Sequence, residues 1–265
     1  MNTAAYKAIR VGREKKLTED VLSIEVPLEI RLNGKEYSTT MCSPEDANEL
    51  VRGLFYTEDI WRGEANQLSI TSAWNEASNV FCADVILDEM LLGDGYSASR
   101  NLLSVTSCGI CGSPKWKPTK GTMVTNQTEE VSSDFIPGLF TKMAQFQSDF
   151  KASGGSHAAA LFNKRGELIS IGQDIGRHNA VDKAIGKCLS KGNLTEAHYL
   201  LVSGRLSYEI VSKAFAAKTP VLAAVSAPST LAVDFAAELG ICLLGFCRDD
   251  RFTIYSHPEH LNYDA

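Results

Sequence analysis

Alternation of apolar runs with helical segments in the second half of the chain constrains the fold more than any other feature. The predicted strands cover residues 198–203, 221–226 and 241–247, and the predicted helices cover residues 179–189, 207–218 and 230–239. Strands that alternate with helices pair in parallel through right-handed crossovers. Because these strands are almost continuously apolar, helices are expected on both faces of their sheet. This half therefore predicts an α/β unit.

The first half of the chain shows a different pattern, typical of a smaller α+β part. Residues 26–32 and 36–41 alternate apolar and polar side chains around Asn33-Gly34, which indicates a tight β-hairpin. Ser43 is suited to the N-cap of the helix that follows. The other predicted elements are strands at 68–71 and 79–87 and a loosely attached segment at 1–20.

A long segment at residues 104–133 separates the two halves. It is rich in glycine, proline, serine and threonine, and long loops in compact domains are usually functional or disordered. The predicted elements directly after it are a helix at 137–150 and a hairpin of strands at 157–162 and 167–171. We therefore divide the chain into an α+β part, residues 1–132, and an α/β part, residues 133–265.

Composition excludes several classes of protein. The 265 residues carry a formal net charge of -6 without a long basic run, which disfavours broad binding to nucleic acid. No stretch approaches the roughly eighteen uninterrupted apolar residues of a membrane helix. The first residues lack the apolar core of a secretory signal. The expected location is the cytoplasm, where the seven cysteines would stay reduced.

Cys108 and Cys111 form the one close pair among these cysteines. A Cys-x-x-Cys loop can be half of a zinc site, a redox dithiol or a persulfide carrier. Zinc needs three or four ligands, but a second Cys-x-x-Cys is missing and all five histidines follow the pair, so we predict no metal. The residues after Cys111 do not resemble the helix of a thioredoxin-type dithiol. Positive charge that favours a thiolate comes from Lys115, Lys117 and Lys120.

A second set of candidate residues lies where predicted strands meet predicted helices. Arg177 and His178 stand at a helix start, and Arg205 lies between a strand and the next helix. In parallel α/β sheets, strand carboxyl ends and helix N-termini line one edge, where N–H groups and arginines hold phosphate. The pattern therefore predicts an anion-binding crevice. The expected partners of Asp174 and Asp182 are Arg177 and Lys183.

Taken together, these motifs resemble the formate dehydrogenase accessory sulfurtransferase family over nearly the whole chain from about Glu25. The segments that carry the resemblance are 26–34, Ser107-Cys108-Gly109-Ile110-Cys111-Gly112, 155–162, 174–183 with Arg177-His178, 203–209 with Arg205, 227–229 and 245–248. The order and spacing of the segments are specific together, although none decides alone. The chain departs from the family pattern at Ser113-Pro114-Lys115-Trp116, directly after the cysteine pair.

The resemblance implies a particular function. Members of the family take sulfur from a cysteine desulfurase and pass it to the bis-molybdopterin guanine dinucleotide molybdenum cofactor that formate dehydrogenase needs. Cys108 would then be the persulfide-bearing thiol of a sulfurtransferase and Cys111 its companion. The family also implies a homodimer and a three-layer, cytidine-deaminase-like fold without that enzyme's zinc. The implied cofactor-binding stretch is Cys247, Arg248, Asp249, Asp250, Arg251 and Phe252.

Two alternatives to this reading stay open. One is a general dithiol–disulfide oxidoreductase, and the other is a chaperone that binds the cofactor without sulfur chemistry. The favoured reading expects GDP to bind the crevice as a fragment of the cofactor, held by Arg177, Arg205, Arg248 and Arg251, because a guanidinium grips phosphate at two points.

Overall fold

The computed structural model describes residues 2–78, 80–99, 129–132 and 134–263. Cys108, Cys111 and most of the predicted loop at 104–133 lie outside these ranges, so the predictions for them are not addressed by the fold. Within them, the strands are β1 (Thr3–Val11), β2 (Lys15–Ser23), β3 (Val26–Leu32), β4 (Lys35–Cys42), β5 (Ser69–Asn75), β6 (Val80–Ile86), β7 (Glu129–Val131), β8 (His157–Phe162), β9 (Leu168–Asp174), β10 (Tyr199–Val202), β11 (Val221–Ala224), β12 (Cys242–Arg248), β13 (Arg251–Ser256) and β14 (Leu261–Tyr263). The α-helices are α1 (Ala47–Thr57), α2 (Asp94–Ser99), α3 (Phe135–Gln145), α4 (Ser148–Ser153), α5 (Arg177–Lys191), α6 (Tyr208–Ala216) and α7 (Thr230–Leu239).

A six-stranded sheet in the order β13-β12-β11-β10-β8-β9 forms the centre of the second half. β10, β11 and β12 are parallel, as the alternation with α6 and α7 predicted. The hairpin of β8 and β9 is also confirmed, and it joins β10 in antiparallel pairing. The sheet is therefore mixed rather than wholly parallel. One antiparallel strand, β13, was not predicted from the sequence.

Helices cover both faces of this sheet, because both faces are apolar. On one face, residues such as Leu161 and Leu200 pack with α5, α6 and α7 in one buried cluster. On the other face, Tyr199 and Leu201 pack with α3 in a second cluster. This α/β/α layering agrees with the three-layer prediction. The more specific likeness to cytidine deaminase stays a prediction.

The first half builds a separate four-stranded sheet in the order β4-β3-β6-β5, with α1 packed on it. Its hairpin turns at Asn33 and Gly34, whose φ angles are 51° and 77°, so the predicted tight turn is confirmed. The other face of α1 packs closely on α5, where Gly53 and Gly186 bring the two backbones together. The division of the chain at residue 132 stays a prediction.

Three local predictions were wrong. Residues 1–20 are not loose, because β1 and β2 form a long antiparallel hairpin. Its base is attached to α4 through Asn2 bonded to Asp149 at 2.7 Å and Ser23 bonded to Ser153 at 2.7 Å. The predicted helix at 137–150 is interrupted between α3 and α4, where Phe146 turns outward and is 50% exposed.

The third error concerns the start of α1. The helix begins at Ala47 after Asp46, which has a φ of 59°, and Ser43 is not its cap. Ser43 instead joins the two halves of the chain. Its N–H donates to Asp174 at 3.0 Å, and its hydroxyl accepts a bond of 3.1 Å from the N–H of Ile175.

Candidate functional site

A cleft of about 910 Å³ opens at the carboxyl edge of the parallel strands. Ser203, Val225 and Cys247 come from the ends of β10, β11 and β12, and α3 with the segment before β8 forms the opposite wall. Ligands of open α/β sheets bind at this edge. The volume is in the range of small-molecule and cofactor sites. The remaining lining residues are Asp134, Pro137, Gly138, Phe140, Thr141, Met143, Ala144, Gln147, Phe150, Gly154, Gly155, Ser156, His157, Arg248, Asp249 and Asp250.

Cys247 belongs to the predicted cofactor stretch, and it forms part of the cleft wall. Its side chain is 1% exposed. Burial raises the pKa of the Cys247 thiol to about 12, against a smaller opposing effect of a bond with the backbone of Ala224. The thiol is therefore neutral at physiological pH and is not a nucleophile. Cys247 therefore shapes the cleft wall rather than presenting a thiolate to it.

The rest of that stretch forms the turn between β12 and β13. Arg248 ends β12, Arg251 begins β13, and the two are paired across the ladder. Asp249 turns the chain with a φ of 56°. Both arginines are exposed and, together with Phe252, line a smaller cavity of about 250 Å³ beside the cleft. The structure thus brings these predicted residues together at the expected edge.

Arg177 stands at the start of α5, next to the cleft wall. The aliphatic part of Arg177 lies against Gly204. A Cβ at position 204 would be 3.2 Å from the Arg177 Cβ, so any residue other than glycine would displace the Arg177 side chain. The Arg177 Nε is buried and, among the described residues, has no hydrogen-bond partner. The placement matches the prediction that Arg177 belongs to this edge.

His157 was missed by the sequence analysis, although its segment carried part of the family resemblance. It begins β8 and lines the cleft, with its Nδ1 3.3 Å from the hydroxyl of Ser203. Burial and the positive charge of Arg177 lower the pKa of His157, against a weaker effect of Asp174. The imidazole is therefore neutral at pH 7 and can donate or accept one hydrogen bond. A histidine that follows Gly155-Ser156 directly before an apolar strand was the available signal.

Ser156 supplies a second polar group that the sequence analysis did not single out. The residue is 6% exposed and lines the cleft. Its hydroxyl is buried and has no hydrogen-bond partner within the described part of the chain. A buried hydroxyl without a partner is costly, and a bound polar ligand would remove that cost.

Two other predicted residues lie away from the cleft lining. His178 contacts α6, with its Nε2 3.3 Å from the Ser207 hydroxyl and 3.9 Å from a Glu209 oxygen. Arg205 is exposed on the turn after β10. The structure therefore places both near the carboxyl edge without bringing them into the cleft wall.

The predicted partners of the two aspartates were wrong. Asp174 pairs with Lys183 at 2.7 Å, and its other oxygen accepts the N–H of Gly176 at 2.8 Å. Asp182 pairs instead with Lys213 on α6 at 2.9 Å. Because Asp174 at the end of β9 pairs with Lys183 rather than with Arg177, the Arg177 Nε is left without a partner among the described residues.

The fold and the cleft define a mixed α/β protein with a crevice at the carboxyl edge of its sheet. In the described ranges, no helix combines the length and apolar character needed to cross a membrane. The chain belongs to the FdhD/NarQ family, whose model matches residues 23–262.

Individual relatives agree with this assignment. The sulfur carrier protein FdhD of Streptomyces avermitilis is 40% identical over 97% of this chain and 95% of its own length. The protein of the same name from Sulfolobus acidocaldarius is 37% identical over 92% of each chain. A crystal structure of a proposed formate dehydrogenase accessory protein from Desulfotalea psychrophila matches 99% of this chain and 100% of its own, with a TM-score of 0.74 and 18% identity. That structural match supports the fold.

Proposed function

We propose that this chain is a sulfurtransferase that carries sulfur as a persulfide on Cys108 and delivers it to the bis-molybdopterin guanine dinucleotide molybdenum cofactor for formate dehydrogenase. A cysteine desulfurase would be the sulfur donor, and the protein would act in the cytoplasm as a homodimer. The observation that carries the proposal is a cleft that Arg248 lines, with Arg251 in the cavity beside it, in a chain that aligns over nearly its full length with relatives named sulfur carrier proteins. Such a cleft suits the nucleotide part of this cofactor.

Sulfur loading is a thiol exchange. The Cys108 thiolate attacks the outer sulfur of the persulfide on the desulfurase, and the bond between the two donor sulfurs breaks. The donor leaves as a thiolate, and Cys108 then holds the extra sulfur with no net oxidation or reduction.

Sulfur delivery uses the second cysteine. The Cys111 thiolate attacks the inner sulfur of the Cys108 persulfide and displaces hydrosulfide, which becomes the ligand of molybdenum. The two cysteines are left as a disulfide, because two electrons have passed to the transferred sulfur. A cellular dithiol must reduce this disulfide before the next cycle.

The nucleotide part of the acceptor would lie at the carboxyl edge. Arg248 and Arg251 are exposed beside the cleft and can approach a pyrophosphate, while Arg177 presents a buried Nε without a described partner. The neutral groups Ser156 and His157 line the same cleft and can donate hydrogen bonds to phosphate or guanine oxygens. Arginine is well suited to this task because its planar donors match phosphate.

Intact mass measurement tests the loading step. The protein is incubated with a cysteine desulfurase and cysteine, and we expect a gain of one sulfur that Cys108→Ala abolishes. Cys188→Ala is the matched control, because Cys188 is buried on α5 and burial raises the pKa of its thiol. Equal sulfur gain in the two variants would disprove the assignment of Cys108.

Activation of formate dehydrogenase separates the alternatives. If Cys108→Ala still activated the enzyme, the protein would be a cofactor chaperone without sulfur chemistry. Steady reduction of a disulfide substrate by a small dithiol, with no influence of guanine nucleotides, would instead identify a general oxidoreductase.

A further inference from the structure

A cluster of metal-ligand side chains lies at the edge of the six-stranded sheet opposite the cleft. After β13 the chain makes a short 3-10 turn, Pro258–His260, before β14. Ligand atoms of His257, Glu259 and His260 all lie within 4.8 Å of one another. The segment contains a His-x-Glu element that the sequence analysis passed over. The sequence predicted no metal for the chain as a whole, and this cluster departs from that prediction.

Backbone carbonyls fix the orientation of both imidazole rings. The Nε2 of His257 is 2.8 Å from the carbonyl oxygen of Ala237, near the end of α7, and must donate to it. The ring of His260 bonds the carbonyl of Pro220, just before β11. The His260 Nδ1 has no partner among the described residues, so the bond to Pro220 is made by Nε2. In both rings, Nδ1 is left to face the cluster.

The buried ring nitrogen is the observation that points to a ligand. His260 is 7% exposed, so its Nδ1 lone pair is removed from water without a hydrogen bond in return. The ring of His257 stacks against it at a centroid distance of 5.2 Å. A buried acceptor without a hydrogen-bond partner is energetically unfavourable, and a bound ligand would remove that cost. A cation between the two rings would supply that partner.

Glu259 supplies the negative charge that such a cation needs. One of its oxygens is 2.8 Å from the His257 Nδ1. With Nε2 already donating to Ala237, this contact requires either a second proton on the ring or a cation shared with the carboxylate. His257 also has a φ of 49°, an uncommon conformation for a residue other than glycine.

We propose that His257, Glu259 and His260 bind one divalent transition-metal ion, with Zn²⁺ as the prototype and water as the fourth ligand. Two imidazoles and one carboxylate form a common zinc ligand set. Histidine ligands almost always donate their other ring N–H to a carbonyl or carboxylate, and both histidines do so here. This proposal is independent of the proposed sulfur transfer.

The geometry needs only a small adjustment to bind the ion. In a tetrahedral site with bonds of about 2.0–2.1 Å, neighbouring ligand atoms are roughly 3.4 Å apart. The ligand atoms here span up to 4.8 Å, so the cluster must close by about an ångström or more. The Glu259 side chain is 65% exposed and can turn without disturbing the core. The bound ion would connect the turn before β14 with the end of α7 and the start of β11.

Metal titration tests the proposal. Untagged full-length protein is stripped with a chelator and titrated with Zn²⁺ against a chromophoric chelator. We expect one ion per chain, and we expect His257→Gln and Glu259→Gln each to weaken binding about tenfold or more. Glu196→Gln is the control, because Glu196 is an exposed carboxylate outside the cluster and its loss should leave the affinity unchanged.

The cysteine pair must be separated from this site, because thiolates also bind zinc. The titration is therefore repeated with Cys108→Ser/Cys111→Ser, which should still bind one ion. Co²⁺ bound to this variant should show no sulfur-to-metal charge-transfer absorption. Absence of stoichiometric binding in the wild type, or undiminished binding in His257→Gln/Glu259→Gln, would overturn the proposal. Loss of binding in the cysteine variant would overturn it as well.

Discussion

Charged side chains are buried in the contact between α1 and α5. At the carboxyl edge of the six-stranded sheet, they are exposed. In the contact, Asp182 of α5 is 1% exposed and pairs at 2.9 Å with Lys213, which is 3% exposed and reaches in from α6. Thr57 of α1 bonds both of them, Asp182 at 2.8 Å and Lys213 at 3.0 Å. At the edge, Arg248 and Arg251 are exposed and, in the part of the chain that is described, belong to no ion pair.

This difference indicates which charged residues contribute to stability and which can bind a ligand. A buried charge without its partner is strongly unfavourable, so Asp182 and Lys213 must stay paired when α1 of the first half packs over them. Exposed charges cost little when they are unpaired, and they can remain free for a ligand. We therefore expect mutations in the contact to change the free energy of unfolding, and mutations at the edge to change ligand affinity.

The largest effect is expected from Lys213→Met. This change leaves Asp182 buried without a cation and should lower the free energy of unfolding by about 3–5 kcal/mol. Urea unfolding followed by circular dichroism measures it. The control is Lys187→Met, because the pair of Lys187 with Asp46 at 2.6 Å is partly exposed and should contribute about 1 kcal/mol or less. Equal losses in the two variants would mean that burial does not decide the strength of these pairs.

At the edge, Arg248→Ala and Arg251→Ala should each weaken GDP binding by about 1.5–3 kcal/mol, as is typical for a lost hydrogen bond between charged groups. The free energy of unfolding should stay within about 0.5 kcal/mol of the wild type. Calorimetric titration gives the affinity, and adenine nucleotides should bind less well. The control is Arg165→Ala, because Arg165 is exposed in the turn between β8 and β9.

If the double variant Arg248→Ala/Arg251→Ala bound GDP as well as the wild type, this turn would not be the nucleotide site. The chemistry proposed for Cys108 would be unaffected by that result. If the variants instead lost stability, the edge would resemble the contact between α1 and α5, and the comparison would fail.

A smaller effect on stability is expected from the close approach of α1 and α5. A Cβ at Gly53 would collide with the backbone of Asp182, and neither helix can move without displacing its sheet. Gly53→Ala should therefore cost about 1–3 kcal/mol of unfolding free energy. Gly138→Ala is the matched control, because Gly138 lies in α3 with nothing within 4 Å of its added Cβ. In that helix, alanine should be neutral or stabilising by up to about 1 kcal/mol.

Much of the fold could be predicted because local signals and burial agree. The turn at Asn33-Gly34 and the alternation of β10, β11 and β12 with helices were recognisable from turn chemistry and from continuous apolar runs. The hairpin of β1 and β2 was not recognisable. Its large apolar residues stay exposed, with Ile9 at 63% and Leu17 at 72%, so no buried face imposes an alternating pattern on the sequence.

Residues of the candidate site could be predicted only where the position of a residue along the chain determines its place in the fold. Residues at strand ends and helix starts share one edge in a parallel sheet, so Arg177 and Arg248 could be placed there. Side-chain partners could not be assigned in this way. Asp182 reaches Lys213 across 31 positions of the chain, and His157 joins the cleft because β8 runs antiparallel to β10. Both arrangements depend on tertiary packing, which local sequence patterns do not predict.

The smallest effect on stability is expected from His157. This residue lies at the carboxyl edge but is partly buried. Burial and the charge of Arg177 lower the pKa of His157, so the folded protein holds the ring proton less tightly than the unfolded chain does. As the pH falls below 6.5, the ordinary value, the unfolded state takes up this proton first. The stability contributed by the neutral ring is therefore lost progressively down to the folded-state pKa.

The free energy of unfolding of the wild type should thus decrease relative to His157→Gln as the pH falls through this window. Nuclear magnetic resonance of the ring protons gives the pKa directly, and Arg177→Gln should raise it by removing the nearby cation. A pKa that did not change in Arg177→Gln would show that Arg177 has little electrostatic influence on His157. Burial alone would then lower the pKa of His157, and the ring would belong with the buried groups rather than with the charged edge.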